Sequence, residues 1–484
     1  MSRSAAIDNF ASAQMYVGGT WVDAADGAVL DSIDPTTEQA IATFPEACPE
    51  DVDTAVEAAR RAAPGWQATP ASERGELLGR FADHLEQHLD ELAEIDSVDV
   101  GNPLDAMRND VAAACREMRM FGGLATELKG SSSLNGERQF AYGLLEPYGV
   151  VGRIIPFNHP FKFAAGKSAP ALAAGNCVIL KPSEHASLSA LRLAQLSEGY
   201  LPPGVLNVVT GSGRRVGAAI AEHPGIPRVA FTGSVPTGKA VMRAAAEHIK
   251  HVSLELGGKN PLIVLPDVDI EMAARGAIRG MNFARSQGQS CQSTSRVYVH
   301  RDIADEFTRR VVDLAAGLTV GDPLEPGTDL GPLAFRAHFE RVVGYIRAGL
   351  DEGADMLTGG ESDLKPGLFV QPTVFGNVSQ DMRIAREEIF GPVMALIEWS
   401  DLDDVTAMAN DTTLGLTAAI WTNDITMAHT LARRIEAGYV WINGVAKRVP
   451  GTPFGGFKLS GLGKESSLEE LLGFCRTKTV AVTL

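Results

Sequence analysis

Gly149-Val-Val-Gly-Arg-Ile-Ile155 opens the stretch that decides the fold. It is a short β-branched run, and similar runs recur at 177–181, 206–210 and 229–231. Helical patterns lie after each, at about 161–174, 188–197, 215–222 and 237–248. Strands alternating with helices of roughly 10–15 residues predict a parallel, doubly wound sheet with ligands at the carboxyl ends of its strands. A second alternating series runs from 262 to 443, with strands near 262–265, 296–300, 393–398, 418–421 and 439–443. The expected fold is therefore α/β, with two Rossmann-like sheets joined near Gly257-Gly258 and a cleft at the junction.

Working outward, Tyr16 to Val22 reads as a small hairpin followed by a turn at Asp34-Pro35. Helices are expected at about 52–63, 72–95 and 270–284. The second puts Leu78, Phe81, Leu85, Leu89 and Leu92 on one stripe. His84 and His88 have the spacing of a metal pair, but the intervening Glu86 is not where a zincin needs it, so a solvated helix flank is expected. The segments 139–145 and 477–484 read as extended strands with nothing local to pair with. An unpaired edge is a liability, so they pair with each other or with a partner subunit.

At 484 residues the chain exceeds one core, and about three domains are expected. A net charge of −17 argues against nucleic acid or an anionic membrane as partner. Five widely spaced cysteines, never in a CxxC pair, fit a reducing compartment and give neither a disulfide framework nor a zinc site. No apolar h-region precedes Met15, and no apolar run approaches the roughly 18 residues of a membrane span. A cytoplasmic location is expected.

Several motifs fall at strand ends. Gly233-Ser-Val-Pro-Thr-Gly-Lys239 matches the first seven positions of a P-loop, but Ala240 stands where Ser or Thr should hold magnesium. What survives is a glycine turn that lets backbone N–H groups approach a phosphate at a helix N-terminus. Gly211-Ser-Gly-Arg-Arg-Val-Gly217 is a second such turn, and two on one sheet favour a dinucleotide. In Lys181-Pro-Ser-Glu184 an ammonium and a carboxylate either bind ribose hydroxyls or form an ordinary ion pair. Glu184 would repel a 2′-phosphate, favouring NAD over NADP; Arg214 and Arg215 are the side chains that would tolerate NADP. Glu255, between Leu254 and Leu256, has surroundings that raise a carboxyl towards general-base range, or it is structural. Asn158 either donates to an oxyanion or caps a helix. Cys291 lies in Ser286-Gln-Gly-Gln-Ser-Cys291, a polar loop with little apolar cover that could lower a thiol pKa. It reads either as a nucleophile or as a small loop cysteine.

Together these pieces resemble the aldehyde dehydrogenase superfamily over nearly the whole chain. The carrying motifs are Pro156-Phe-Asn-His-Pro160, Lys181-Pro-Ser-Glu184, Phe231-Thr-Gly-Ser234, Leu254-Glu-Leu-Gly-Gly258, Gly288-Gln-Ser-Cys291, Glu387-Glu-Ile-Phe-Gly-Pro392 and Pro453-Phe-Gly-Gly-Phe-Lys-Leu-Ser-Gly461. The resemblance implies an NAD-binding domain (1–128 and 148–256), a catalytic domain (257–460) and an oligomerisation arm (129–147 and 475–484) that makes a homodimer or homotetramer. It implies Cys291 as nucleophile, Asn158 as oxyanion donor and Glu255 as base for the attacking water. Lys181 and Glu184 would hold the adenosine ribose, Gly233 and Ser234 the pyrophosphate, Glu388 the nicotinamide ribose and Phe390 the ring. Ile155, Pro156, Phe157, Ser183, Gly213, Gly217, Phe231 and Leu256 would complete the NAD site. A thiohemiacetal on Cys291 would lose hydride to NAD, and the resulting thioester would be hydrolysed to the carboxylic acid.

The implied substrate surface is His159, Lys162, Phe163, Gln292, Lys447, Arg448 and Phe454. The Asn-His-Pro variant and the basic 447–448 loop are similar to the 2-carboxybenzaldehyde dehydrogenase-like branch. Basic groups on one funnel of an acidic protein suggest a carboxylated aldehyde, and Phe157, Phe163 and Phe454 suggest an aromatic one. The alternatives are a short-chain semialdehyde or betaine-aldehyde type of dehydrogenase, a CoA-acylating one, and a non-catalytic binding protein. The CoA route has no need of the water-activating Glu255.

Overall fold

In the computed structural model, which describes residues 5–7, 10, 13–135, 137–362 and 366–483, two large sheets carry the chain. The first has eight strands in the order Thr20–Val22, Met15–Val17, Leu206–Val208, Cys177–Lys181, Val150–Ile154, Arg228–Thr232, His251–Glu255 and Gly461–Leu462. The inner five are parallel and, counted in chain order, lie 3-2-1-4-5. That is the doubly wound order, whose switch point falls between Val150–Ile154 and Arg228–Thr232 and opens a crevice at the carboxyl ends. The strands 150–154, 177–181 and 228–232 are buried on both faces, as expected of parallel strands covered by helices. Each Val or Ile side chain so buried contributes roughly 1.5–3 kcal/mol.

The second sheet has seven strands, Asp355–Thr358, Thr373–Gly376, Val393–Trp399, Arg296–His300, Pro261–Val264, Thr417–Trp421 and Tyr439–Ile442, all parallel except the first. The chain passes from the carboxyl end of His251–Glu255 to the amino end of Pro261–Val264 through Gly257-Gly258, so the two sheets meet end to end there. A return segment lays Gly461 against Glu255 and Leu462 against Leu254.

The two extended segments pair with each other. Cys475–Thr483 runs antiparallel to Gln139–Pro147 over its full length, and Ser132–Leu134 adds a third strand; residue 484 lies outside the described residues. The tip Leu134 is 84% exposed.

Two expected helices are interrupted. The run 72–95 breaks at His88, between Ala71–Gln87 and Leu89–Val100, where His88 turns out of helical geometry (ψ 19°) and its ring meets Glu91 at 2.8 Å. The stripe is retained: Leu78, Phe81, Leu85 and Leu92 are all buried. His84 stacks on Tyr200 at 4.9 Å. The run 270–284 ends at Gly280, because Asn282 takes a left-handed conformation (φ 57°) before Phe283–Ser286. The runs 161–174 and 215–222 each begin as a wide π-turn, at Lys162–Gly166 and Gly213–Gly217. Such turns gather at functional sites. The helix Leu104–Leu124 was not apparent from the sequence and packs beside the first of them. Among the described residues no helix is long and apolar enough to cross a membrane.

Candidate active site

Cys291 lies in the turn between Phe283–Ser286 and the strand Arg296–His300. Side-chain and backbone bonds hold this turn. Asn260 Nδ2 donates to the carbonyls of Cys291 and Ser293 at 2.8 and 2.9 Å, and Ser293 Oγ donates to the Met281 carbonyl at 2.9 Å. A Cβ at Gly258 would stand 2.5 Å from the Cys291 carbonyl oxygen, so only glycine lets the sheet junction pass so close to the turn.

The thiol faces a cavity between the two sheets. Lys162, Phe163, Glu255, Gln292, Arg448 and Phe454 share its wall with Cys291. No motif pointed to the other charged lining residues, Glu117, Lys167, Glu465 and Glu470. Glu255 is buried at the end of its strand, with one carboxylate oxygen unpartnered. Burial, then the neighbouring Glu465, raise its pKa well above the usual carboxylate range, while Lys167 and Arg448 pull the other way. Burial would raise Glu465 too, but Lys167 and Arg153 hold it down at about 2. Lys167 binds it directly, and Arg153 donates to it at 3.0 Å. Glu470 lies 3.6 Å from Arg153 and is pushed up to about 7 by burial and by Glu465.

The expectation of a thiol with a lowered pKa is corrected. Burial, then the charges of Glu255 and Glu388, push the Cys291 thiol up to about 12. The polar loop composition concealed how closely other segments cover it.

Asn158 is buried and does not reach the cavity wall; its Nδ2 donates to the Gln289 carbonyl, two residues before Cys291, at 2.8 Å. An amide has two N–H donors, so one is left for another acceptor. His159 is withdrawn behind the wall, its Nδ1–H donating to Asp110 at 2.5 Å. Lys447 is exposed and does not line the cavity; its carbonyl accepts from Trp441 Nε1 at 2.8 Å and its N–H donates to the Val445 carbonyl at 2.7 Å. Arg448 turns inward and lies over the Phe454 ring at 4.5 Å. Phe157 offers no ring to the cavity, packing instead against Phe335 and Phe390 at 5.1 and 5.9 Å.

Thr232 lines this cavity and also a second, open cleft of about 660 Å³ at the switch point of the first sheet. Ile155, Pro156, Phe157, Lys181, Ser183, Glu184, Gly213, Gly217, Phe231, Gly233 and Ser234 all line the cleft. Lys181 Nζ meets Glu184 at 3.2 Å, and the Gly213 N–H donates to the same carboxylate at 3.2 Å. No atom lies within 4 Å of where a Cβ would stand on Gly213 or Gly217, so that backbone is bare to a ligand. Ser234 caps the helix Val235–Ala246. Arg215 pairs with Asp26 on the surface, while Arg214 lines the cleft.

Three expected cofactor residues stand apart from the cleft wall. Leu256 packs under Gly238 of the helix. Glu388 accepts from the Gly258 N–H at 3.0 Å and presses on Gly257, where a Cβ would meet it at 1.9 Å. Phe390 is held in a left-handed conformation (φ 61°), and its carbonyl meets His338 Nε2 at 2.8 Å. Among the described residues no group of three or more His, Cys, Asp or Glu side chains is placed to hold a metal ion.

This arrangement matches known proteins throughout. Residues 21–480 match the model of the aldehyde dehydrogenase family. The chain is 43% identical to hydroxyisobutyraldehyde dehydrogenase of Mycolicibacterium austroafricanum, over 97% of this chain and 94% of that one. It is 41% identical to the putative aldehyde dehydrogenase DhaS of Bacillus subtilis, over 97% and 96%. The structure of the NAD+ complex of aldehyde dehydrogenase from Bacillus cereus superposes with a TM-score of 0.96 at 39% identity, covering 100% of this chain and 99% of that one. The chain belongs to the aldehyde dehydrogenase family. Its activity is that of an oxidoreductase acting on aldehydes.

Proposed function

We propose that the protein oxidises a carboxylated aldehyde to the corresponding acid with NAD, through a thioester on Cys291. The observation that carries this reading is the shared cavity of Cys291 and Glu255, which has Thr232 as a wall residue in common with the cleft at the switch point. The cleft suits NAD: bare backbone at Gly213 and Gly217 and a capped helix N-terminus would take the pyrophosphate, and Lys181 with Glu184 the ribose hydroxyls. Glu184 disfavours a 2′-phosphate, while Arg214 on the same wall leaves NADP as a poorer alternative. The NAD+ complex of the Bacillus cereus relative supports the assignment.

NAD, when bound, supplies the hydride acceptor. The chain supplies the rest. Glu255 takes the Cys291 thiol proton and passes it to solvent. Cys291 Sγ bonds to the aldehyde carbon, and the carbonyl oxygen takes the charge, to which Asn158, behind the wall, would offer its second N–H. Glu255, with its raised pKa, suits a base working near neutrality, and takes a proton from the water that attacks the thioester carbonyl. The bond to sulfur breaks and the acid leaves. The division into an NAD-binding part, a catalytic part and an arm at 129–147 and 475–484 belongs to this reading, as does a homodimer or homotetramer joined through that arm.

For the substrate's remote end, the cationic groups of the cavity support a carboxylate. An aromatic ring is less well supported, since Lys167 lies over Phe163 at 4.8 Å and Arg448 covers Phe454. That crowding favours, as a second reading, a short aliphatic aldehyde, in keeping with the name of the Mycolicibacterium relative. The test is NADH absorbance with 2-carboxybenzaldehyde, benzaldehyde and 4-oxobutanoate, with and without CoA, in the wild type and Cys291→Ala. Acid product without CoA, and a silent variant that still binds NAD, are expected. An acyl-CoA product, or NADH from the variant, would overturn the reading.

A further inference from the structure

Among the described residues, five cations stand on or just behind the wall of the Cys291 cavity, and four have a bonded partner, Arg153 through Glu465 at 3.0 Å. Lys167 is bound by Glu465. Arg285 donates to Asp110 Oδ1 at 2.5 Å. Arg448 donates to Ser466 Oγ at 3.0 Å and lies 3.8 Å from Glu117. Lys162 differs. Its nearest carboxylate oxygen is Asp110 Oδ1 at 3.9 Å, the one Arg285 already holds, while Asp110 Oδ2 is taken by His159 at 2.5 Å.

Asp110 is fully buried on the helix Leu104–Leu124, and its two bonds leave it no rotation towards Lys162. The Lys162 side chain is only 11% exposed, so an ammonium has been taken out of water without a hydrogen-bonding partner. Such a group is uphill until an acceptor meets it. His159 adds no competing charge, because burial pushes its pKa down to about 4 despite Asp110. Lys162 lines the cavity, and Asp110 and Arg285 do not.

We propose that Asp110 is a specificity-determining positioning residue: by holding Arg285 and His159 it leaves Lys162 without an acceptor of its own, as a receptor for the carboxylate of a monocarboxylated aldehyde. This rests on the dehydrogenase reading above and extends it to residues that never touch the substrate.

The experiment compares kcat/KM for 4-oxobutanoate with that for its methyl ester in the wild type, Lys162→Met, Asp110→Asn and Arg285→Met, with circular dichroism to establish folding. The wild type prefers the carboxylate. Lys162→Met lowers that preference about tenfold or more, through KM, as loss of a charge-assisted hydrogen bond does. Asp110→Asn raises the preference, because Arg285 is released. Arg285→Met lowers it, because Asp110 is freed to turn to Lys162. Should Asp110→Asn fail to fold, the double variant Lys162→Met/Arg285→Met decides, with no further loss expected beyond Lys162→Met alone. An unchanged preference in Lys162→Met, a lowered one in folded Asp110→Asn, or additive losses in the double variant would overturn the inference. A wild type that oxidises both aldehydes equally overturns it too and leaves the dehydrogenase reading standing. Absence of NADH from either aldehyde overturns that reading instead.

Discussion

The cleft at the switch point and the cavity at Cys291 meet at Thr232 but are built on opposite plans. The cleft is wide, formed largely of backbone and small residues at strand ends, with the Lys181–Glu184 pair near one end. The cavity is narrow and crowded with charge drawn from five stretches of chain: 117, 162–167, 255, 448 and 465–470. A common cofactor is met by geometry that any sequence of glycines and a capped helix can supply. On the proposed reading, discrimination among aldehydes falls to side chains whose charges have to be matched one against another in low dielectric.

That contrast can be tested by removing one carboxylate from each side. In the cavity, Glu255→Gln keeps the shape and removes the proposed base. Turnover is expected to fall by about 10²–10⁴, with an acyl adduct accumulating on Cys291 that intact-mass measurement detects. A variant that turns over normally would show that the cavity's charges do not act on the chemistry. In the cleft, Glu184→Ala is expected to raise the KM for NAD by about tenfold and to leave kcat nearly unchanged, the loss of one charged hydrogen-bond acceptor. A larger effect there than at Glu255 would reverse the comparison.

The smallest effect belongs to two carboxylates that serve neither site. Asp96 accepts from the Phe161 N–H at 2.9 Å, and Asp99 binds Ser32 and the Leu188 N–H. Burial raises their pKa values to about 8 and about 7. Groups whose folded pKa lies above the unfolded one stabilise below the unfolded pKa, near 4, and lose that contribution as pH rises through the folded value. The melting temperature is therefore expected to decline from pH 5 towards pH 9. Asp96→Asn, which carries no charge to bury, should flatten the decline by a few degrees. An unaltered slope would show that Asp96 stays ionised in the fold.

The cleft was far more legible than the cavity. Gly233-Ser234 and Lys181 to Glu184 sit on single strand ends, where local residue types carry the meaning. Cys291 and Glu255 were also readable, each from a short motif. Asp110, Glu117 and Arg285 were not, because they lie in helices with no motif and matter only through partners 49 to 331 positions away, such as His159 and Arg448. The thiol's pKa went astray for the same reason: Gln and Ser around Cys291 suggest openness, whereas Glu255, Glu388 and the covering segments come from elsewhere in the chain. The break at His88 is a local matter of one ring and one carboxylate, invisible to a periodicity that continues across it.

The return segment at Gly461–Leu462 closes the edge beside Glu255, and Glu465 and Glu470 follow within nine residues. During synthesis the first sheet can gather most of its strands once residue 255 has left the ribosome, yet its last edge and two of the cavity's acids emerge some two hundred residues later. Domains formed early at roughly 5–20 residues per second would wait tens of seconds with that edge bare. A nascent chain of this protein can thus assemble most of its first sheet well before the cavity closes, and a stop codon between about positions 256 and 460 is expected to leave that sheet without its last edge and the cavity without Glu465 and Glu470.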